Sequence, residues 1–254
     1  MRCGSECDTT KIKWEYKLAV FLLLASVGIY SVKFALFQNP QDTVNYLFNS
    51  MGFLPINVLL VTIVLNSLLS IRSRREKMQK LNMVIGTFFS EVGTHLLVVL
   101  SDNDPDVGDL REQLLIRDDW DQAQFTHIFN VIARKDYQVN TEDIDLENLH
   151  EYLMEKRDFL LRLLENPVLL EHQSFTELLR AVFHLNEELW RREDFSCLPE
   201  SDCHHIEGDI NRVYRELVRE WVHYMQYLHE NYPYIFSLAL RTNPFDESAS
   251  PVVK

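Results

Sequence analysis

The chain has 254 residues, 46% of them hydrophobic and 25% charged, with 38 acidic against 25 basic side chains and a formal net charge of −13. That composition excludes a disordered chain, a disulfide-stapled miniprotein and a basic nucleic-acid binder. Seven glycines are too few for glycine-rich phosphate loops or turn-dense β architecture.

Residues 1–17 form a polar N-terminal segment carrying Arg2, Lys11, Lys13 and Lys17. Leu18 to Phe37 follows with twenty residues and one charge, Lys33; Phe53 to Ile71 has nineteen residues and none. At about 1.5 Å per residue, either stretch as a helix covers roughly the 30 Å hydrocarbon layer of a bilayer and satisfies its own backbone groups there. Glu6, Asp8 and Glu15 precede the first run, and no small-x-small pattern follows it, which disfavours a cleaved signal peptide. The sequence therefore predicts a transmembrane hairpin, with helices over 18–37 and 53–71 joined by an external loop over 38–52.

Charge orients the hairpin. The loop has no Lys or Arg, whereas the flank over 72–80 holds Arg72, Arg74, Arg75, Lys77 and Lys80. The positive-inside rule puts both termini in the cytoplasm, at a plasma or inner membrane. Lys33 lies near the outer end of its span and reaches the headgroups by snorkelling, with lining of a pore as its alternative role. Asn57, Thr62, Asn66 and Ser67 are the polar groups of the second span. In lipid they need partners, within the hairpin, between subunits or along a pore.

From Leu81 to the end there are 33 acidic and 15 basic residues, a net charge of −18, which repels nucleic acid. The periodicity over 81–240 predicts a cytoplasmic bundle of about five helices, so the fold class is all-α. The first runs from Met78 to Leu100 and, with no glycine or proline between Ile56 and Ile85, continues from the second span. Others cover Leu110–Arg134, Thr141–Glu165 with Thr141 as cap, a segment opened by the capping-box pattern Ser174 to Glu177, and a long helix starting near Ser201 or Asp202. Pro233 interrupts the last one, a short apolar helix follows, and 241–254 reads as a disordered tail.

Three patterns invite chemistry. Glu147-x-x-His150 and Glu220-x-x-His223 each place both side chains on one helix face, and with Glu91, His95 and Glu187 they loosely follow the order of a di-iron carboxylate bundle. Cys3-x-x-x-Cys7 and Cys197-x5-Cys203-His204-His205 suggest zinc, although neither spacing is that of a zinc finger. The acidic stretch DNDPDVGD over 102–109 matches only the first oxygen positions of a calcium loop. No GxSxG, Walker, GxGxxG or HExxH sequence is present, so no catalytic residue is assigned.

Three functional readings follow. The first is a membrane-anchored, non-catalytic interaction or regulatory module that self-associates and needs no cofactor, its aromatic-rich last helices docking a partner protein. The second is an oligomeric two-span channel gated by the cytoplasmic domain. The third is a membrane-tethered di-metal oxidase or metal sensor using the seven Glu and His residues above.

Overall fold

A computed structural model describes residues 20–21, 24–33, 35, 40–139, 141–167, 169 and 172–252. The described residues are all-α, with no strand. The chain divides into two compact units, Met1–Arg72 and Ser73–Lys254. The segment over 1–17, with Cys3 and Cys7, lies outside the described residues.

In the first unit residues 20–21, 24–33 and 35 are helical. Helix α1 then spans Pro40–Phe88, and the unit boundary falls within it. The loop expected over 38–52 is thus helical from Pro40 onward. Proline suits the first helical position, where its missing N–H is no loss, and Asp42 complements the positive end of the helix. Every residue from 51 to 80 is exposed. One helical stretch among the described residues is long and apolar enough to cross a membrane; its most apolar 18-residue window has a mean hydropathy of 2.1 and is wholly unburied.

The second unit has its own core, from Leu81 to Phe245. Leu81, Ile85 and Phe88 of α1 belong to it. Beyond Phe88 the helix widens into a π turn, Phe89–Gly93, before α2, Thr94–Asp102. A Cβ on Gly93 would lie 2.6 Å from Phe89 Cδ1 and 2.8 Å from Phe88 Cε1. Its absence lets Phe88 sit edge-on to Phe175 and Phe89 stack on Tyr224, each with ring centroids 5.4 Å apart.

The helix expected over 110–134 is two helices, α3 (Val107–Gln113) and α4 (Gln122–Ile132). Asp121 starts the second. Its carboxylate accepts from the backbone of Ala123 and Gln124, and Gln124 reaches back to the Asp121 N–H, closing a capping box. The helix expected over 141–165 is likewise α5 (Leu146–Glu155) and α6 (Arg157–Leu164). Asp145, not Thr141, caps α5 by accepting from Asn148 N at 3.0 Å. Thr141 instead donates its hydroxyl and N–H to Glu207.

Helix α7 spans Gln173–Trp190, capped by His172 rather than Ser174: His172 Nδ1 accepts from Phe175 N at 3.3 Å. Helix α8, Glu200–Asn231, starts where the sequence put it. Cross-pairs Glu177/Arg219, His184/Asp209 and Arg192/Asp202 make α7 and α8 an antiparallel hairpin. Ile206, Ile210, Val213, Leu217, Trp221, Met225 and Leu228 form the buried stripe of α8, each such side chain contributing about 1.5–3 kcal/mol when fully buried. Helix α9, Pro233–Arg241, begins with proline at its first turn.

Within the tail expected over 241–254, three residues contact the bundle. Phe245 is 2% exposed and meets Trp221 edge-on at 5.1 Å. Asn243 donates to Leu114 O at 2.9 Å, and Glu247 pairs with Arg111.

Candidate functional site

The seven residues of the di-metal reading do not converge. Glu91 is exposed on the π turn, with its carboxylate 3.4 Å from Lys156 Nζ. Tyr152 donates to the Glu91 carbonyl at 3.0 Å and lies 4.2 Å from the ring of His95. Burial pushes the Tyr152 phenol up to about 12, so it remains a donor. Glu147 is exposed, and His150 faces Phe195. Glu187 is taken by Arg157, whose hydrogen bond holds its carboxyl below the ordinary range, and by Arg191. Only Glu220 and His223 share a cavity, about 180 Å³, with His172 and Asn82. Glu220 is 1% exposed and neither carboxylate oxygen accepts a hydrogen bond; its nearest cation is Arg219, 3.7 Å away.

A different cluster does assemble, across α7 and α8. Both helices carry a histidine followed four residues later by a carboxylate: His184 and Glu188, then His205 and Asp209. Four-residue spacing stacks each pair on one face, and the antiparallel register brings the faces together. Asp209 Oδ2 lies 3.3 Å from His184 Nε2 and 3.6 Å from His205 Nε2. Glu188 lies 3.9 Å from His184 Nε2 and 3.7 Å from His205 Nε2. Ligand atoms of His184, His205 and Asp209 all fall within 4.8 Å of one another, the one such trio found among the described residues.

The electrostatics are uneven. Both imidazoles are exposed, while the Asp209 side chain is 4% exposed. Its Oδ1 faces Arg212 at 3.5 Å, but Oδ2 has no hydrogen-bond donor. Glu188 is held by Arg192, whose hydrogen bond lowers the Glu188 pKa, and Arg192 in turn grips both oxygens of Asp202.

The sequence pattern Cys203-His204-His205 divides. Adjacent helical residues point about 100° apart. Cys203 turns to Leu198 O and His204 to Glu207 Oε2 at 2.9 Å, so only His205 joins the cluster. The acidic loop over 102–109 is a lysine-locked turn: Asp104 Oδ1 accepts from Asp106 N, and Lys135 bonds Asp106 O at 2.6 Å. In the first unit, Lys33 Nζ sits 5.0 Å over the Tyr46 ring, and Asn57, Thr62, Asn66 and Ser67 are all exposed. The His184/Asp209 pairing does not follow the Glu-x-x-His order of the di-metal pattern. The legible signal was His-x-x-x-carboxylate on two neighbouring amphipathic helices.

Two family matches cover most of the chain. Residues 77–241 match "Uncharacterized protein MJ1433, C-terminal helical domain", and residues 9–69 match "MJ1433, N-terminal helical domain". The gap between them brackets the boundary of the two compact units at Arg72/Ser73. Uncharacterized protein MJ1433 of Methanocaldococcus jannaschii is 43% identical over 232 residues, 91% of this chain and 93% of the relative. No solved structure matches. With a relative this similar along nearly the whole length and both helical domains matched in order, the chain belongs to the MJ1433 family.

Proposed function

We propose that the protein is a membrane-anchored, non-catalytic interaction or regulatory module, with both termini and the acidic helical unit in the cytoplasm. One observation carries this reading: all nineteen residues from Phe53 to Ile71 are uncharged and all are exposed. As a helix they make an apolar surface about 28 Å long, far beyond what a water-soluble monomer leaves uncovered. Lipid covers it at a length that matches the hydrocarbon layer. Leu18 to Phe37 supplies the returning span. The five basic residues over 72–80 sit at the headgroups, each contributing about 1 kcal/mol with anionic lipid. The helical unit beyond them is kept off the same surface by its net charge of −18.

An anchor fits better than a pore. Asn57 and Asn66 are nine residues apart, so they fall on opposite sides of the helix. The polar groups of this span therefore form no single stripe. Partner docking and self-association belong to the helical unit in this reading, where Tyr234, Ile235 and Leu238 expose one apolar face of α9.

The test is extraction of membranes from cells producing the full chain. The protein is expected to stay in the pellet at alkaline pH and to enter solution only with detergent, with a reporter fused after Lys254 on the cytosolic side. Full-length protein soluble without detergent, or a reporter on the far side, overturns the proposal.

A further inference from the structure

We propose that His184, His205 and Asp209, with Glu188 completing the set, bind a single divalent transition-metal ion of the zinc class. The argument is geometric and does not depend on the membrane reading. For metal–ligand bonds of about 2.0–2.1 Å, neighbouring donors of a tetrahedron lie about 3.3 Å apart. Asp209 Oδ2 stands 3.3 and 3.6 Å from the two imidazole Nε2 atoms, so an ion fits among them with small side-chain adjustments.

The second observation is independent of spacing. Asp209 Oδ2 is buried, accepts no hydrogen bond, and points between the two histidines. A buried carboxylate oxygen without a donor is unfavourable, and a bound cation removes that penalty. Two imidazoles with carboxylate oxygens suit zinc or a neighbouring first-row divalent ion rather than calcium or magnesium, which take oxygen ligands alone. Glu188 is already oriented by Arg192, the kind of outer partner that fixes a ligating carboxylate. Because the ligands come from two helices, the ion would clip α7 to α8 at a solvent-accessible point.

The experiment uses the full chain in mild detergent, stripped with chelator and titrated with Zn²⁺ alone in a calorimeter. Co²⁺ absorption serves as a second readout of nitrogen and oxygen coordination. One equivalent of Zn²⁺ per chain is expected. His184→Ala, His205→Ala and Asp209→Asn should each weaken binding at least about tenfold, roughly 1.4 kcal/mol. His204→Ala, next door but turned toward Glu207, should bind as the parent does. Both ligand histidines are exposed, so their alanine variants keep the core, which circular dichroism checks. No saturable binding, unchanged affinity in all three ligand variants, or equal loss in His204→Ala overturns the proposal.

Discussion

Arg192 holds the polar end of the α7–α8 hairpin. Its side chain is 14% exposed and meets both Asp202 oxygens at 2.6 and 2.8 Å and Glu188 Oε2 at 2.9 Å. Arg192→Ala leaves Glu188 and Asp202 without the guanidinium that they share. The expected loss is about 1–3 kcal/mol at neutral pH, read by urea unfolding. Arg192→Lys should recover only part, since an ammonium cannot span Asp202 as the planar fork does. The same contacts hold the Glu188 and Asp202 carboxyls below their ordinary range through hydrogen bonds from Arg192. Their folded pKa values are thus below the unfolded ones. That stabilisation is complete above the unfolded range, about pH 4, and is lost as pH falls through it toward the folded values. Arg192→Ala should flatten this acid-side loss; an unchanged profile between about pH 5 and 3 contradicts the assignment. Gly93 argues at the same scale. Alanine normally stabilises a helix interior by about 1 kcal/mol over glycine. Here its methyl meets two packed phenylalanine rings, so Gly93→Ala should destabilise by about 1–2 kcal/mol net. A higher melting temperature for this variant would show that the π turn relaxes freely.

The elements show which sequence signals survive folding. The start of α8 and the break at Pro233 were legible, because long apolar periodicity and proline act within one segment. The break at 114–121 carries its signal in the polar run Arg117–Asp121, whereas the one at 156 carries little, because apolar positions recur on both sides of it. Asp121 and Gln124 did carry a readable cap, and Asp121→Ala should cost about 1 kcal/mol. An effect near zero would mean that α4 is held by packing alone. His172 as a cap was not legible, since imidazole is an uncommon acceptor at that position. The contacts of the tail were hidden for another reason: composition averages over fourteen residues, whereas the contacts rest on Phe245 and Asn243 meeting partners on α8 or over a hundred residues away. Phe245→Ala should destabilise by about 3–5 kcal/mol, measured by thermal unfolding. The α7–α8 cluster was half legible. Each His-x-x-x-carboxylate pair is a local pattern, but their meeting depends on the antiparallel register, which only the packed core sets. The seven residues of the di-metal pattern lie apart for the converse reason. Spacing put its members on helix faces, but arginine and lysine partners claimed Glu187 and Glu91 first.

At the scale of the molecule, the two units differ in how far they cover their apolar side chains. In Ser73–Lys254 apolar side chains from Leu81 to Phe245 close over one another, and the surface outside them is strongly acidic. In Met1–Arg72 the described apolar side chains remain uncovered. On the proposed membrane reading the two units should separate cleanly in solubility. A chain of residues 73–254 is expected to stay in solution without detergent and to unfold in one cooperative step, while the full chain needs detergent at the same concentration. Sedimentation and denaturant unfolding of the two, side by side, provide the check. If the shorter chain aggregates as the full one does, the exposed stretch over 53–71 is not what confines the protein to detergent. Some other apolar surface, with Tyr234, Ile235 and Leu238 of α9 the foremost exposed group, would then have to be covered by a second copy or another protein. If it stays soluble, the exposed apolar stretch and the helical unit are separable by physics as well as by family match, since the gap between the segments 9–69 and 77–241 already brackets the same place.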